Sequence, residues 1–264
     1  MSRPIITLTT DFGQADAYVG IMKGVMLAIC PEAILVDISH EIRPQQVQEA
    51  AYLFGTAVPY FPAGTVHLVV VDPGVGSGRR AVAIQTSQAF YVAPDNGVLS
   101  RVLVQERDAV AVHLTAERYR MSPVSATFHG RDVFAPAAAY LAAGVNLHKL
   151  GEEIPLDALR TLPWPDSQVQ PDGSRRGVII HVDHFGNLVT SISGRHANPE
   201  TSFVAGGVRI PGMSRTFSDV APGEFVAYTG SGGYIEIAIR GGSAAARLQL
   251  DTGDPVEVHG PARE

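Results

Sequence analysis

Residues 4 to 10, Pro-Ile-Ile-Thr-Leu-Thr-Thr, carry the apolar and β-branched residues of a strand. From Val19 to Ile29 the apolar positions recur at helical spacing. The loop Asp11-Phe12-Gly13 lies between them, so the chain opens with a β-loop-α unit. The same grammar returns in Ala33-Ile-Leu-Val-Asp-Ile as a strand, Gln45 to Tyr60 as a helix, and Thr65-Val-His-Leu-Val-Val-Val as a run apolar enough to be buried on both faces. Ala81-Val-Ala-Ile and Phe90-Tyr-Val-Ala read as further strands, and Asp132 to Ala143 as a helix ending at Gly144. Such alternation predicts an α/β N-terminal domain with a mostly parallel sheet over residues 1–162.

Between Leu162 and Arg176 the pattern breaks. Pro163, Pro165, Pro171, Asp172, Gly173 and Ser174 are too rich in breakers for an element, and residues 163–176 are expected to form a linker. Beyond it the helical period fades. Gly177-Val-Ile-Ile-His-Val, Glu224-Phe-Val-Ala-Tyr, Tyr234-Ile-Glu-Ile-Ala-Ile and Pro255-Val-Glu-Val are separated by glycine turns, which predicts a small all-β barrel or sandwich over residues 177–264.

Composition narrows the classes. Of 264 residues 45% are hydrophobic and 17% charged, which excludes disorder and supplies a full core. The formal charge is -6 and the basic residues are scattered, so nucleic acid is not expected as a partner. The single cysteine, Cys30, sits in an apolar stretch and excludes an intramolecular disulfide or a thiolate cluster. No apolar run approaches the ~20 residues that span a bilayer, and the N-terminus lacks a signal-like apolar core. A soluble cytoplasmic protein is expected.

In open parallel sheets ligands gather beyond the carboxyl ends of the strands, and three polar segments follow strand patterns. Asp11-Phe-Gly-Gln-Ala-Asp16 offers two carboxylates to a sugar diol or an ammonium; helix capping explains them equally well. Val71-Asp-Pro-Gly-Val-Gly-Ser-Gly-Arg-Arg80 fails as a Walker loop, lacking Gly-Lys-Ser/Thr, and as a dinucleotide loop, because a strand follows it. Asp72 and Arg79 remain, either as a structural salt bridge or as site residues. Thr127-Phe-His-Gly-Arg-Asp132 places His129 in a charged loop ahead of a helix. Asp11, Asp16, Asp72 and His129 suit a metal by residue type, but no short-range ligand pair supports one, and Arg79 would set a positive charge beside it. Farther on, Asp183-His-Phe-Gly-Asn187 reads as an Asn-containing turn or as a cluster for a purine base.

Taken together, Thr10-Asp-Phe-Gly13, Asp72-Pro-Gly-Val-Gly76, Ala93-Pro-Asp-Asn-Gly97, Phe128-His-Gly-Arg-Asp132, Asp183-x-Phe-Gly-Asn187 and Gly241-Gly-Ser-Ala-Ala245 resemble, in order and over nearly the whole chain, the S-adenosyl-L-methionine (SAM) hydroxide adenosyltransferases. These adenosine-forming SAM hydrolases are related to the fluorinase and chlorinase enzymes. The resemblance implies an α/β N-terminal domain, a β-barrel C-terminal domain, and a homotrimer binding SAM between the N-terminal domain of one subunit and the C-terminal domain of its neighbour. SAM is then the substrate, with no separate cofactor and no metal.

By matching position, Asp72, Arg79 and His129 resemble the set associated with the water or hydroxide nucleophile. Asp11 resembles the ribose-diol acceptor and Asp16 the group that meets the methionine ammonium. Asp183, Phe185 and Asn187 resemble the adenine and methionine cradle. Ser231 resembles a methionine-carboxylate contact with Tyr234 near it, and Phe217 and the backbone around Arg240 and Gly242 resemble adenine contacts. One departure is Gln45, which stands where the family usually has an aromatic facing the ligand. The fluorinase relatives carry an extra loop and neutral residues in place of Asp72 and His129. A halide must shed water to attack, and a fixed carboxylate opposes its binding, so hydrolysis is expected rather than halogenation. Two alternatives are a nucleoside hydrolase, for which the Asp11-to-Asp16 segment lacks the adjacent aspartates of a calcium cluster, and a non-catalytic SAM or adenosine sensor, against which the intact triad argues.

Overall fold

Strand β3 (Thr65–Val70) is buried at every position, because both faces of the sheet that contains it are covered. The computed structural model describes residues 3–104 and 108–260. Val66, Leu68 and Val70 face one hydrophobic core, with Met22 and Met26 of α1 (Tyr18–Ile29) and the alanines of a later helix, Ala135–Ala142. Val69 and Val71 face the other, with Ala50 and Phe54 of α2 (Val47–Ala57). This two-residue alternation makes a continuous apolar run compatible with a strand.

Strands β1 (Ile5–Thr10), β2 (Ile34–Ser39), β4 (Ala81–Gln85), β5 (Ala89–Pro94), β6 (Val110–His113) and β7 (Glu152–Ile154) complete the sheet in the order β2-β1-β3-β5-β4-β6-β7. The first four in that order are parallel, and β4, β6 and β7 join antiparallel. From β1 the chain passes to β2 on one side and then to β3 on the other. The carboxyl ends of β1 and β3 therefore flank a topological switch point, where a crevice opens. Helix α3 (Ser100–Leu103) is a single turn, and α4 is Ala135–Ala142. The strands β6 and β7 are absent from the apolar pattern: Val110–His113 is only four residues long, and Glu152 and Glu153 occupy an exposed edge.

The chain divides into two compact units, Met1–Leu162 and Pro163–Glu264. The stretch 163–176, expected as a linker, holds the short strand β8 (Gln168–Val169) and the start of β9 (Arg175–Val182), which pair antiparallel. The second unit adds β10 (Leu188–Ser193), β11 (Ser202–Ala205), β12 (Val208–Ile210), β13 (Phe225–Thr229), β14 (Tyr234–Ile239), helix α5 (Ala244–Leu248) and β15 (Pro255–His259). Its strands run in the order β12-β11-β15-β9-β10-β14-β13 with antiparallel pairing throughout. The end strands β12 and β13 lie against each other, so this sheet curls into a nearly closed barrel. Ile179, Leu188, Ile192, Phe203, Ile235 and Ile237 fill its interior. No helix among the described residues is long and apolar enough to cross a membrane.

On β3, His67 is 1% exposed and stacks on Tyr91 with centroids 5.4 Å apart, edge-on to Phe54 and Phe61. Its Nδ1 lies 2.8 Å from the Thr7 hydroxyl. Burial lowers its pKa from 6.5 to about 4. The folded value lies below the unfolded one, so this contribution to stability is whole above pH 6.5 and is lost as the pH falls towards 4. The full loss is on the order of 3 kcal/mol. Denaturation of the protein and of His67→Gln at pH 7 and pH 4.5 checks this: the stability difference between the two pH values is expected to shrink in the variant, and an unchanged difference would assign it to other groups.

Candidate active site

Asp11 follows β1 and Asp72 follows β3, so adjacent parallel strands deliver two carboxylates to the switch-point crevice. There they line a cleft of about 380 Å³ together with His129, Gln45 and the aromatic residues Phe12, Tyr18 and Phe128.

Arg79 ties together two of the groups that line this cleft. Its Nε donates to Asp72 Oδ1 at 2.8 Å, and its Nη2 donates to Asp72 Oδ2. The two side chains are 6% and 5% exposed respectively. The same Nη2 lies 2.9 Å from His129 Nδ1. A guanidinium has no acceptor and does not lose its proton, so Nδ1 must accept, and a neutral His129 carries its proton on Nε2. Burial and the neighbouring Arg79 charge both hold the His129 pKa below 6.5, while Asp72 opposes them. The guanidinium also lies over the Phe134 ring, 5.1 Å from its centroid. The Asp72–Arg79 salt bridge is therefore present, and its carboxylate lines the cleft.

The loops that carry these groups fit closely. Gly76 has φ 76°, and a Cβ there would stand 2.6 Å from the Ala126 carbonyl oxygen, so only glycine lets the Asp72 loop approach the segment before His129. His129 precedes a wide turn, Gly130–Phe134, in which Ala135 N–H bonds Gly130 O five residues back. Such turns recur at functional sites. The buried Asp132 accepts from Ser125 N–H at 2.7 Å and from Arg131 at 2.6 and 2.9 Å, which fastens the preceding loop.

Asp11 is held from the other side. Its Oδ2 accepts the Gln45 N–H at 2.8 Å, and Gln45 adopts a left-handed φ of 68° to present it. Burial raises the Asp11 pKa, the Gln45 hydrogen bond pulls it partly back, and the Asp72 charge raises it again. His40 supports the same loop: its carbonyl accepts Gly13 N–H at 2.8 Å, its Nδ1 meets Thr10 Oγ1 at 2.8 Å, and its Nε2 lies 3.0 Å from Asp37 Oδ1. Gln45 therefore acts through its backbone, where sequence pointed only to a missing aromatic side chain. The aromatic wall comes instead from Phe12, Tyr18 and Phe128, whose ring centroids lie 5.3 to 6.2 Å apart. Tyr18 is 47% exposed. The sequence patterns single out neither Phe12 nor Tyr18, although Phe12 follows Asp11 directly.

Asp16 is exposed on the loop before α1 and does not line the cleft. It does not cap that helix either: the N-cap is Ala17, with no side-chain bond.

In the second unit, Asp183-His-Phe-Gly-Asn187 forms the turn between β9 and β10. Asp183 Oδ1 accepts the N–H groups of Phe185 and Asn187 at 2.9 and 2.8 Å, and Oδ2 accepts Asn187 Nδ2 at 2.7 Å. Gly186, at φ 80°, lets this turn seat against Ser243. Phe185 projects from it, 74% exposed, while Asn187 is buried. Arg240 Nη1 donates to Val220 O at 2.7 Å and so holds the loop that carries Phe217, whose ring packs 5.0 Å from Tyr228. Gly242 bridges back to Ile239. Ser231 lies in the exposed turn before β14, whereas Arg240 and Gly242 follow its other end. A six-residue strand is roughly 20 Å long, so Ser231 and the Arg240–Gly242 segment lie at opposite ends of β14 rather than at one point.

Comparison with known proteins agrees with this geometry. Residues 6–151 match the SAM hydroxide adenosyltransferase N-terminal domain and residues 177–257 its C-terminal domain. A protein of Thermus thermophilus named (R)-S-adenosyl-L-methionine hydrolase is 41% identical, over 97% of this chain and 99% of its own. A fluorinase of Actinopolyspora mzabensis is 30% identical, over 97% of each. Among solved structures, an uncharacterized conserved protein from Thermotoga maritima superposes with a TM-score of 0.89 at 33% identity, over 96% of this chain and 99% of that one. With the Asp72, Arg79 and His129 cluster at the switch point and both domains matched, this chain belongs to the SAM hydroxide adenosyltransferase family.

Proposed function

We propose that this protein hydrolyses SAM to adenosine and L-methionine by attack of a water-derived oxygen on the ribose C5′. The observation that carries this reading is the Arg79 guanidinium shared between Asp72 and His129 at the edge of a cleft that Asp11 also lines. The sulfonium of SAM is already a cationic leaving group and departs with the C–S electron pair as neutral methionine. No acid is needed for it. The task is to hold the nucleophile in line at near-attack distance and to remove its proton.

The Arg79 contact at Nδ1 supports a division of roles between the other two. With Nδ1 occupied and Nε2 protonated, His129 donates a hydrogen bond to the water oxygen. Asp72 spends one lone pair of each oxygen on Arg79 and keeps the others to accept the water proton. One water lone pair then remains for C5′. As the C–O bond forms, the oxygen becomes acidic and its proton passes to Asp72.

Asp11 accepts from the ribose diol, and Asp16 meets the methionine ammonium. Asp183, Phe185, Asn187, Phe217 and the backbone around Arg240 and Gly242 receive the adenine and methionine, with Ser231 and Tyr234 at the amino-acid end. The site is completed between subunits of a homotrimer, from the N-terminal unit of one and the C-terminal unit of its neighbour. Dissociation by dilution, followed by scattering and calorimetry, tests this: SAM affinity is expected to fall as the oligomer dissociates, and a monomer that binds SAM as tightly would remove the shared site.

Purified protein incubated with SAM in oxygen-18 water is expected to give adenosine and methionine, with the label at the adenosine 5′ position. Adenine as product, or an unlabelled 5′ oxygen, would refute the reaction. Asp11 and Asp72 should fail differently on substitution. Asp11→Ala loses charge-assisted hydrogen bonds worth roughly 1.5–3 kcal/mol and should raise KM by about 10- to 100-fold. Asp72→Ala should lower kcat by about 10²–10⁴-fold while SAM still binds. Near-full turnover by Asp72→Ala would make that acid structural.

A further inference from the structure

A second cavity, of about 230 Å³, lies within the N-terminal unit and shares no residue with the Asp72 cleft. Phe61, just ahead of β3, and Gln88, just ahead of β5, both line it. It therefore opens at the amino ends of these parallel strands, whereas Asp72 lies beyond a carboxyl end. Val58, Phe61 and the Tyr91 ring form apolar wall, and His67 and Arg101 bring nitrogen to it. Among the described residues no acid lines it.

The buried His67 presents a donor to this space. Its Nδ1 is taken by Thr7 Oγ1 at 2.8 Å, and that hydroxyl, itself fully buried, meets no other group among the described residues. If Nδ1 carried the proton and donated it, the hydroxyl hydrogen would be buried without an acceptor. The hydroxyl therefore donates, Nδ1 accepts, and a neutral His67 carries its proton on Nε2. No described residue bonds Nε2, yet protein does not enclose this atom, so it opens on the cavity. An N–H in a side chain only 1% exposed thus has no protein acceptor.

Arg101 adds positive charge to the same wall. Gly55 of α2 makes room for it, since a Cβ there would stand 3.1 to 3.3 Å from three Arg101 side-chain atoms. Glycine weakens a helix, so α2 gives up some stability where the arginine crosses it. The guanidinium lies 5.8 Å from the Tyr52 ring centroid. It carries five N–H groups, so contacts within the protein and one with a ligand are compatible. A buried N–H, a cationic donor and no acid call for an anionic acceptor, and a carboxylate matches the guanidinium fork. The apolar wall calls for an apolar body. The volume is below the ~300 Å³ at which sites for drug-sized ligands begin, so that body is small.

We propose that this cavity is a binding site for a small organic carboxylate, which accepts from His67 Nε2 and Arg101 and packs its apolar body against Val58, Phe61 and Tyr91. An amino acid fits poorly, because its ammonium would meet no acid. The site stands apart from the reading of SAM as substrate, and SAM turnover bears on the other cleft alone.

Nitrogen NMR of the full-length protein with labelled histidine, titrated with benzoate, benzamide and benzylammonium, tests this; a His67→Phe variant assigns the resonance. Benzoate is expected to give a saturable shift at His67 Nε2 with His129 unmoved. Benzamide keeps the shape without the charge and should bind about 10- to 100-fold more weakly, as should benzoate to Arg101→Gln. Benzylammonium should not bind. No His67 shift at about 20 mM benzoate, enough to fill a site of millimolar Kd, would leave the cavity to water and overturn the proposal. A proton on His67 Nδ1, benzamide bound as tightly as benzoate, or wild-type affinity in Arg101→Gln would overturn it too. So would a shift at His129 alone, which would put the carboxylate in the other cleft.

Discussion

The site depends on a guanidinium that can only donate. Arg79 sits between Asp72 and His129 with its side chain 6% exposed, and the planar fork meets both carboxylate oxygens while one nitrogen also reaches the imidazole. Because an arginine does not give up its proton, every other proton in the cluster has its place set by this contact. Asp72 is kept an acceptor, and His129 is left with its proton on the nitrogen away from Arg79. A lysine in this place could not span the same three acceptor atoms in one plane.

The rest of the N-terminal unit serves to bring that fork into register. Parallel pairing of β1 with β3 sets Asp11 and Asp72 side by side, and the passage of the chain to β2 before β3 opens the crevice between them. Gly76 admits the close approach of the Asp72 loop to the His129 segment, and the wide turn after His129 carries the chain into α4. The barrel supplies a different surface, with the aromatic Phe185 and Phe217 exposed and the carboxylates of Asp183 and Glu236 near a protonated Tyr228.

Much of this was legible before any coordinates. The strand and helix periods of the N-terminal unit were strong because its central strands are buried on both faces, and acids after those strands pointed to the site. Short edge strands such as Glu152–Ile154 and Val208–Ile210 escaped, since exposed or very short elements leave little periodicity. The Pro-rich segment 163–176 hid β8 for the same reason. Backbone roles were invisible: nothing in the letter Gln45 announces a left-handed residue whose N–H holds Asp11. That Asp16 does not cap α1, and that Asp72 and Arg79 pair beside His129, needed distances that spacing does not contain.

The proton arrangement at His129 is the most direct test of this account. Nitrogen NMR of selectively labelled histidine at neutral pH, with His129 assigned through a His129→Gln variant, reports which ring nitrogen carries hydrogen. A neutral imidazole protonated at Nε2, with Nδ1 bare and hydrogen-bonded, is the result that the Arg79 geometry requires. A proton on Nδ1, or an imidazolium at pH 7, would contradict it and with it the assignment of Asp72 as the acceptor of the water proton.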